Sequence, residues 1–280
     1  MPPLFTVVGA DVLFAHWRVD PEAVAAALPP DLTVDTFDGS AWVSALALEN
    51  RSVSPGSLRL PTALDGAVPQ LNVRTYATRD GDTGVYFLSL DTGLGAAAAA
   101  GSGVFGLPFR RARMRLTRTG DRITFRSRRA GSTPPAVFQA RYRPEGDRHR
   151  ADPGSLAEFC VERDRYFLPA AEAGGAATLR TVGPGGEGTI VGRIDRDPWE
   201  LRDVDATLRE NTLFEAAGLP APADDPVFRH SPGFEMGGAA RGGPPCRERR
   251  VGGRRDPPGR VTGSDTTPLC TGGPWTGYEY

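Results

Sequence analysis

Runs of β-branched, aromatic and aliphatic residues recur along the chain, and glycine, proline and aspartate residues separate them. The alternation of apolar and polar positions within these runs predicts strands. The predicted strands cover residues 11–19, 32–36, 41–48, 68–78, 84–91, 111–118, 122–128, 136–143, 177–182, 188–195 and 201–208. Turn residues at 38–39, 79–82 and 119–121 predict that three pairs of successive strands form hairpins.

Helix signals are fewer and mark short segments. Asp20-Pro21-Glu22 combines an N-cap residue, a proline at the first helical position and an early acid, which predicts a helix to Leu28. The small residues of 93–106, the capping box that opens 155–163 and the segment 211–217 predict three more helices. About ten strands and four short helices without regular strand-helix alternation predict an α+β fold, a mostly antiparallel β-barrel or cone with a few short helices.

The composition is that of a globular protein. The chain has 280 residues, 24% of them charged, and a formal net charge of -1, which gives no general attraction to nucleic acid. No run approaches the roughly 18 apolar residues that a spanning helix needs, so no membrane partner is predicted. Three cysteines without a CxxC motif, and an N-terminus without the pattern of a secretion signal, predict a cytoplasmic location.

The composition changes near Met236. Residues 237–280 are rich in glycine and proline and poor in aliphatic residues, so they cannot build a core. The predicted organisation is a single β-barrel-type domain over residues 1–236 and a low-complexity tail over 237–280. This tail is predicted to be disordered or to be the product of a frameshift.

All 33 basic side chains are arginine. The chain therefore contains no lysine amine that could form a Schiff base with a carbonyl substrate.

Short strings that together suggest a family are distributed between residues 4 and 236. They are His16-Trp-Arg-Val-Asp-Pro21, Leu28-Pro-Pro-Asp-Leu32, Asp38-Gly-Ser-Ala-Trp42, Leu71-Asn-Val-Arg-Thr-Tyr76, Gly84-Val-Tyr-Phe-Leu-Ser-Leu-Asp91, Gly106-Leu-Pro-Phe-Arg-Arg111, Pro198-Trp199 and His230-Ser-Pro-Gly233. Their order and spacing resemble the YqjF-like family, domain of unknown function 2071, within the acetoacetate decarboxylase-like superfamily. The resemblance implies a closed or cone-shaped β-barrel with an internal cavity. It also implies a distant relation to an enzyme whose lysine forms an imine with a β-keto acid.

The resemblance also implies which positions correspond to the lysines of the decarboxylase. The segment from Gly106 to Arg111 is similar to the segment that carries two adjacent lysines there, so Phe109 and Arg110 stand at those positions. A guanidinium stays protonated and can bind an anion, but it cannot attack a carbonyl at neutral pH. We therefore expect no amine-based decarboxylation.

One face of the predicted strand 68–78 carries polar side chains. A period of two places Asn72, Arg74 and Tyr76 on one face and apolar neighbours on the other. In a barrel this face meets either solvent or the lumen, where an arginine beside an amide and a phenol can bind a carboxylate, carbonyl or phosphate. In the alternative interpretation, Arg74 pairs with a buried acid such as Asp91 or Glu49 and only stabilises the barrel.

Other candidate groups carry weaker signals. Asp91 ends a strand beside a glycine-rich turn, where an acid is a general base or, more commonly, a cap. Arg110 is a further candidate contact for an anionic ligand. The three histidines lack metal-ligand spacing, so no metal site is predicted, and His16 is interpreted as a core residue. Cys160 lies within a predicted helix and is interpreted as unreactive.

The sequence thus predicts a small-molecule-binding β-barrel protein that recognises an anionic or carbonyl-bearing metabolite through Asn72, Arg74, Tyr76 and Arg110, without Schiff-base decarboxylase activity. No cofactor is predicted. Whether the protein is an enzyme is left open; a catalysed reaction would be lyase-like, with proton transfer by a carboxylate such as Asp91. The alternatives are a structural or assembly module with a filled barrel and, less favoured, RNA binding through the arginine-rich segment 110–129, whose alternation is typical of a solvated hairpin. A homo-oligomer is compatible with the sequence.

Overall fold

A computed structural model describes residues 5–55, 67–93, 107–129, 131–169 and 188–240 of the chain. The predicted strand at 177–182 and nearly all of the predicted helix at 93–106 lie outside these residues. The predicted tail lies outside them from residue 241 onward, whereas residues 237–240 belong to the last strand.

Twelve strands and three short helices make up the described part of the chain. In chain order they are β1 (Phe5–Val19), α1 (Pro21–Ala25), β2 (Thr33–Val34), β3 (Ala41–Pro55), β4 (Val68–Arg79), β5 (Asp82–Thr92), β6 (Phe109–Thr119), β7 (Arg122–Arg129), β8 (Val137–His149), α2 (Leu156–Val161), β9 (Arg165–Pro169), β10 (Thr189–Arg196), β11 (Leu201–Asn211), α3 (Leu213–Ala216) and β12 (Val227–Ala240). The mostly-strand α+β fold class predicted from the sequence is confirmed. No helix among the described residues has the length and apolar character required to cross a membrane.

Strand pairing returns on itself along two closed paths. The first circuit runs through β5, β6, β7, β8, β11, β12, β1, β3 and β4, and the β4–β5 pairing closes it. The second circuit runs through β5, β9, β10, β12, β1, β3 and β4, and the β10–β12 pairing closes it. All pairings are antiparallel except those of β5 with β6 and β9. The two circuits therefore share a wall of five strands, β12, β1, β3, β4 and β5.

Each face of this shared wall is covered by a different core. Because successive side chains of a strand point to opposite faces, Leu13, Ala15 and Trp17 of β1 belong to the first core, whereas Val12 and Phe14 belong to the second. The first core includes residues of β7 and β8, which occur only in the first circuit. The second core includes residues of α2 and β9, and β9 occurs only in the second circuit.

The structure confirms two of the three predicted hairpins and corrects the other. β4 pairs with β5 and β6 pairs with β7, as the turn residues predicted. The expected hairpin of β2 with β3 is wrong, because Thr33 and Val34 pair with β4. The turn itself exists, with positive φ at Asp38 and Gly39, but both edges of β3 are already occupied by β1 and β4. β2 therefore pairs with the end of β4 that extends beyond the β3–β4 pairing, on the edge opposite β5.

A glycine allows β12 to lie against β1. A Cβ atom at Gly233 would be 2.6 Å from the backbone oxygen of Gly9, a separation that neither backbone could relieve without moving. The two residues lie near the centre of the β1–β12 pairing, where Gly9 is opposite Phe234. The close approach of these strands, which completes the shared wall, therefore depends on glycine at this position.

Candidate functional site

The polar side chains predicted on β4 lie on the face of the shared wall that the second core covers. Asn72, Arg74 and Tyr76 are 9%, 7% and 0% exposed, and Tyr76 is a member of the second core. The predicted alternation is therefore correct, and the face meets neither bulk solvent nor the first core. A charged guanidinium in such a place requires polar partners, because an unpaired buried charge is costly.

Arg74 and Tyr76 both bind the same carbonyl group. Arg74 Nη2 and Tyr76 Oη each donate a hydrogen bond of 2.8 Å to the backbone oxygen of Cys160, in the last turn of α2. The alternative that Arg74 pairs with Asp91 or Glu49 is wrong, since those acids pair with other arginines. The polar face of β4 thus holds α2 against the shared wall.

A hydrogen-bonded row continues from Tyr76 across three neighbouring strands. Ser44 on β3 lies opposite both His16 on β1 and Arg74 on β4. Ser44 Oγ lies 2.6 Å from Tyr76 Oη and 2.6 Å from His16 Nδ1. We call this row, from His16 through Ser44 and Tyr76 to the Cys160 carbonyl, the His16 relay.

His16 is neutral at physiological pH. Its side chain is 1% exposed, and burial lowers the pKa of the imidazole to about 3, with further lowering by the positive charges of Arg74 and Arg229. Burial also raises the pKa of the Tyr76 hydroxyl above its usual value, so the phenol keeps its proton. Every side chain of the relay is therefore uncharged, while two arginines create a positive potential around its outer end.

A pocket opens at that outer end. It has a volume of about 180 Å³ and lies between the β1 and β12 face and the segment that leads into α2. His16 lines it together with three charged residues, Arg150, Asp152 and Arg229. Among the described residues, neither guanidinium forms an ion pair: Arg229 donates to the Phe228 carbonyl and Arg150 to the Pro198 carbonyl. Both retain further N–H donors for a bound anion.

His16 Nε2, in the lining of this pocket, is buried without a hydrogen-bond partner, and so are Asn72 Oδ1 and Arg74 Nε on β4. Buried polar groups in native proteins are almost always paired with protein or with an ordered molecule, so an unpaired one beside a pocket indicates a place where a bound molecule would be stabilising. We refer to the pocket with the His16 relay behind it as the His16 site.

The other two predicted site residues, Asp91 and Arg110, lie apart from this group. They are opposite each other on β5 and β6, and Asp91 is also opposite Leu71, a residue of the first core. Asp91 is 0% exposed and accepts a hydrogen bond of 3.0 Å from Arg129 Nε, whereas Arg110 is exposed. The structure therefore divides the predicted site between the two faces of the shared wall.

Sequence reasoning missed three contributors to the His16 site. His16 was interpreted as a satisfied core residue, yet only its Nδ1 has a partner. Ser44 carried no motif, and Arg229 belongs to a strand that the turn-like string His230-Ser-Pro-Gly233 concealed. The alternation of side chains on β1 could have indicated His16, because it places this polar residue on the same face as Val12 and Phe14, which belong to the second core. Among the described residues no three acidic, histidine or cysteine side chains cluster as metal ligands would.

Several known structures have a fold similar to that of this chain. Acetoacetate decarboxylase from Legionella pneumophila subsp. pneumophila str. Philadelphia 1 matches with a TM-score of 0.55 at 14% identity, over 85% of each chain. The enduracididine biosynthesis enzyme MppR, in complex with pyruvate, matches with a TM-score of 0.55 at 16% identity, over 85% of this chain and 88% of that one. An acetoacetate decarboxylase-like enzyme from Sphingomonas wittichii RW1 has a TM-score of 0.54 at 16% identity, over 86% of this chain and 94% of that one. The fold is thus acetoacetate decarboxylase-like.

Sequence similarity gives the family within that class. Residues 9–235 match the model of the family DUF2071, described as an uncharacterized conserved protein. The uncharacterized protein YqjF of Bacillus subtilis (strain 168) is 33% identical over 222 residues, which cover 79% of this chain and 84% of YqjF. The chain belongs to the DUF2071 family, as its short strings had indicated.

Proposed function

We propose that this protein binds a small anionic or carbonyl-bearing molecule in the His16 site and does so without forming a lysine imine. The observation that carries the proposal is His16 itself, a neutral imidazole at the inner end of a pocket, with one ring nitrogen anchored and the other unpaired. An imidazole held in one orientation by a second hydrogen bond is a typical means of fixing a bound molecule.

The charges around the pocket favour an anion. Arg229 lines the pocket, and burial first and then the positive charges of Arg74 and Arg229 lower the pKa of His16. Arg150 adds a third guanidinium at the rim, against one carboxylate of the lining, Asp152. Guanidinium groups bind carboxylates through paired, charge-assisted hydrogen bonds. In this proposal Arg74 supplies charge and positions the relay, while Arg229 contacts the ligand.

The size of the pocket favours a small metabolite. Its volume of about 180 Å³ is below the roughly 300–1,000 Å³ that holds drug-sized ligands. A carboxylic acid of a few carbon atoms fits this limit. MppR, of similar fold, is known in complex with pyruvate, a molecule of this size class.

The absence of lysine from the whole sequence separates this proposal from decarboxylation through a lysine imine. An imine requires an unprotonated amine, and arginine does not lose its proton at neutral pH. The resemblance places the two lysines at Phe109 and Arg110, and neither of these residues has an amine that can lose its proton at neutral pH.

Calorimetric titration of the full chain with two keto acids, pyruvate and acetoacetate, and two hydroxy acids, lactate and 3-hydroxybutyrate, tests the proposal. We expect at least one of these anions to bind reversibly, and Arg229→Gln to weaken its binding by about tenfold or more, as loss of a charge-assisted contact does. Arg113→Gln is the matched control, since Arg113 is exposed on β6 and outside the lining of the pocket.

Three results would contradict the proposal. They are equal binding by Arg229→Gln and the native chain, a covalent adduct after borohydride treatment with a keto acid, and no binding of any of the anions. The last would favour the alternative in which the polar face only holds α2 in place, because Arg74 and Tyr76 already share the Cys160 carbonyl.

A further inference from the structure

The His16 relay determines which hydrogen atom each of its members donates. A carbonyl oxygen can only accept, so the single hydroxyl proton of Tyr76 is committed to the Cys160 oxygen, 2.8 Å away. The 2.6 Å contact between Ser44 Oγ and Tyr76 Oη must then be a hydrogen bond from Ser44 to Tyr76. This hydrogen bond uses the only hydroxyl proton of Ser44.

The same reasoning fixes the tautomer of His16. Because the Ser44 proton is already used, the 2.6 Å contact between His16 Nδ1 and Ser44 Oγ must be a hydrogen bond donated by Nδ1. A neutral imidazole carries one proton, so Nε2 has none and presents a lone pair. Nε2 is buried without a partner, and an unpaired acceptor in such a place is costly.

We infer that the His16 site selects small carboxylates that carry a hydroxyl group over the corresponding keto acids, because the hydroxyl can donate to Nε2 of His16 while the carboxylate binds Arg229. This inference rests on the proposed function and names its ligand class. A keto oxygen cannot pair with Nε2, since both atoms only accept. An ammonium group could donate, but the positive charges of Arg74 and Arg229 oppose it.

The direct test compares matched pairs of ligands on the full chain: lactate with pyruvate, and 3-hydroxybutyrate with acetoacetate. By calorimetry we expect each hydroxy acid to bind at least about tenfold more tightly than its keto partner, the effect of leaving one buried polar group unpaired. Equal or tighter binding of the keto acids overturns the inference and leaves the proposed function intact. Failure of all four acids to bind overturns both.

Tyr76→Phe tests the relay. The variant removes the acceptor of the Ser44 proton, so Ser44 can donate to Nδ1 and the His16 proton can move to Nε2. The preference for hydroxy acids should then fall at least about fivefold, as loss of one hydrogen bond of this kind does. Tyr142→Phe is the matched control, since Tyr142 is also fully buried but lies in the first core and donates to the backbone carbonyl of Asp11. A preference that is unchanged in Tyr76→Phe, or lost equally in Tyr142→Phe, contradicts the role of the relay.

A measurement on the native protein without any ligand tests the tautomer separately. Nitrogen-15 NMR of histidine-labelled protein shows which ring nitrogen of His16 carries hydrogen, and His16→Gln assigns the signal. We expect the proton on Nδ1 throughout the neutral pH range. A proton on Nε2 of the native protein overturns the inference, whatever the binding results are.

Discussion

Replacing Arg129 by methionine would leave a carboxylate unpaired on the first-core face of the shared wall. Asp91 is 0% exposed, and the side chain of Arg129, 3.0 Å from one of its oxygens, is 12% exposed. Removing one partner of a buried ion pair costs about 3–5 kcal/mol, because the other charge remains without compensation. For a domain of this size each kcal/mol lowers Tm by about 2–4 °C, so we expect a fall of roughly 6–20 °C in calorimetry.

The pH dependence of this loss has a definite sign. Burial raises the pKa of Asp91 above its ordinary value of 3.8, although Arg129 acts in the opposite direction. Between pH 3.8 and the raised pKa, such a carboxyl group binds more protons in the folded state than in the unfolded state. Its contribution to stability therefore falls as the pH rises through this range. Without Arg129 the pKa of Asp91 rises further. The loss of stability in Arg129→Met should therefore become smaller as the pH is lowered toward 3.8.

Two further variants make the experiment decisive. Arg126→Met changes an exposed arginine on the same strand and should alter the free energy of unfolding by less than about 0.5 kcal/mol. Asp91→Asn combined with Arg129→Met removes both charges and should recover a large part of the loss. If Arg129→Met melts within about 2 °C of the native protein, or loses equally at every pH, the assignment of Asp91 as a paired, buried carboxylate is wrong.

The packing of the two cores supports three other predictions. Trp17→Ala should destabilise the fold by about 3–5 kcal/mol in urea titration, because Trp17 is 1% exposed and its ring lies 5.3 Å from that of Phe214; a loss below about 1 kcal/mol would contradict this packing. Gly233→Ala should lower stability by about 1–3 kcal/mol through its contact with the Gly9 backbone, and unchanged urea denaturation would show that the strands can separate there at no cost. Burial raises the pKa of the Cys160 thiol to about 12, so a thiol reagent at pH 8 should modify Cys160 only after denaturation, and the difference should vanish in Cys160→Ser.

Much of the fold could be predicted from local patterns. The β6–β7 hairpin follows from strict alternation, in which Arg111, Arg113 and Arg115 are exposed and Ala112 is buried. The β4–β5 hairpin follows in the same way from its turn residues. Long-range pairing was not predictable in this manner, because β1 and β4 occupy both edges of β3, and β2 pairs with β4 beyond the end of the β3–β4 pairing. A turn signal gives the direction of the chain but does not select the partner of a strand.

The candidate site was predictable only in part, and for a related reason. The period of two correctly grouped Asn72, Arg74 and Tyr76, but it could not indicate that a second core covers their face. Both cores meet on the shared wall, so buried residues on opposite faces look alike in sequence. His16 and Ser44 join the site through the register of three strands, which is a property of the assembled sheet.

The shared wall also has a consequence for how the protein unfolds. From Val12 to Trp17 every residue of β1 is at most 1% exposed, and successive residues serve opposite cores. Opening either core would expose one face of the strands on which the other core packs, which couples the stability of the two cores. Two interiors should therefore melt in a single cooperative step, and a molecule bound on one side would protect the other from exchange and proteolysis to the same degree.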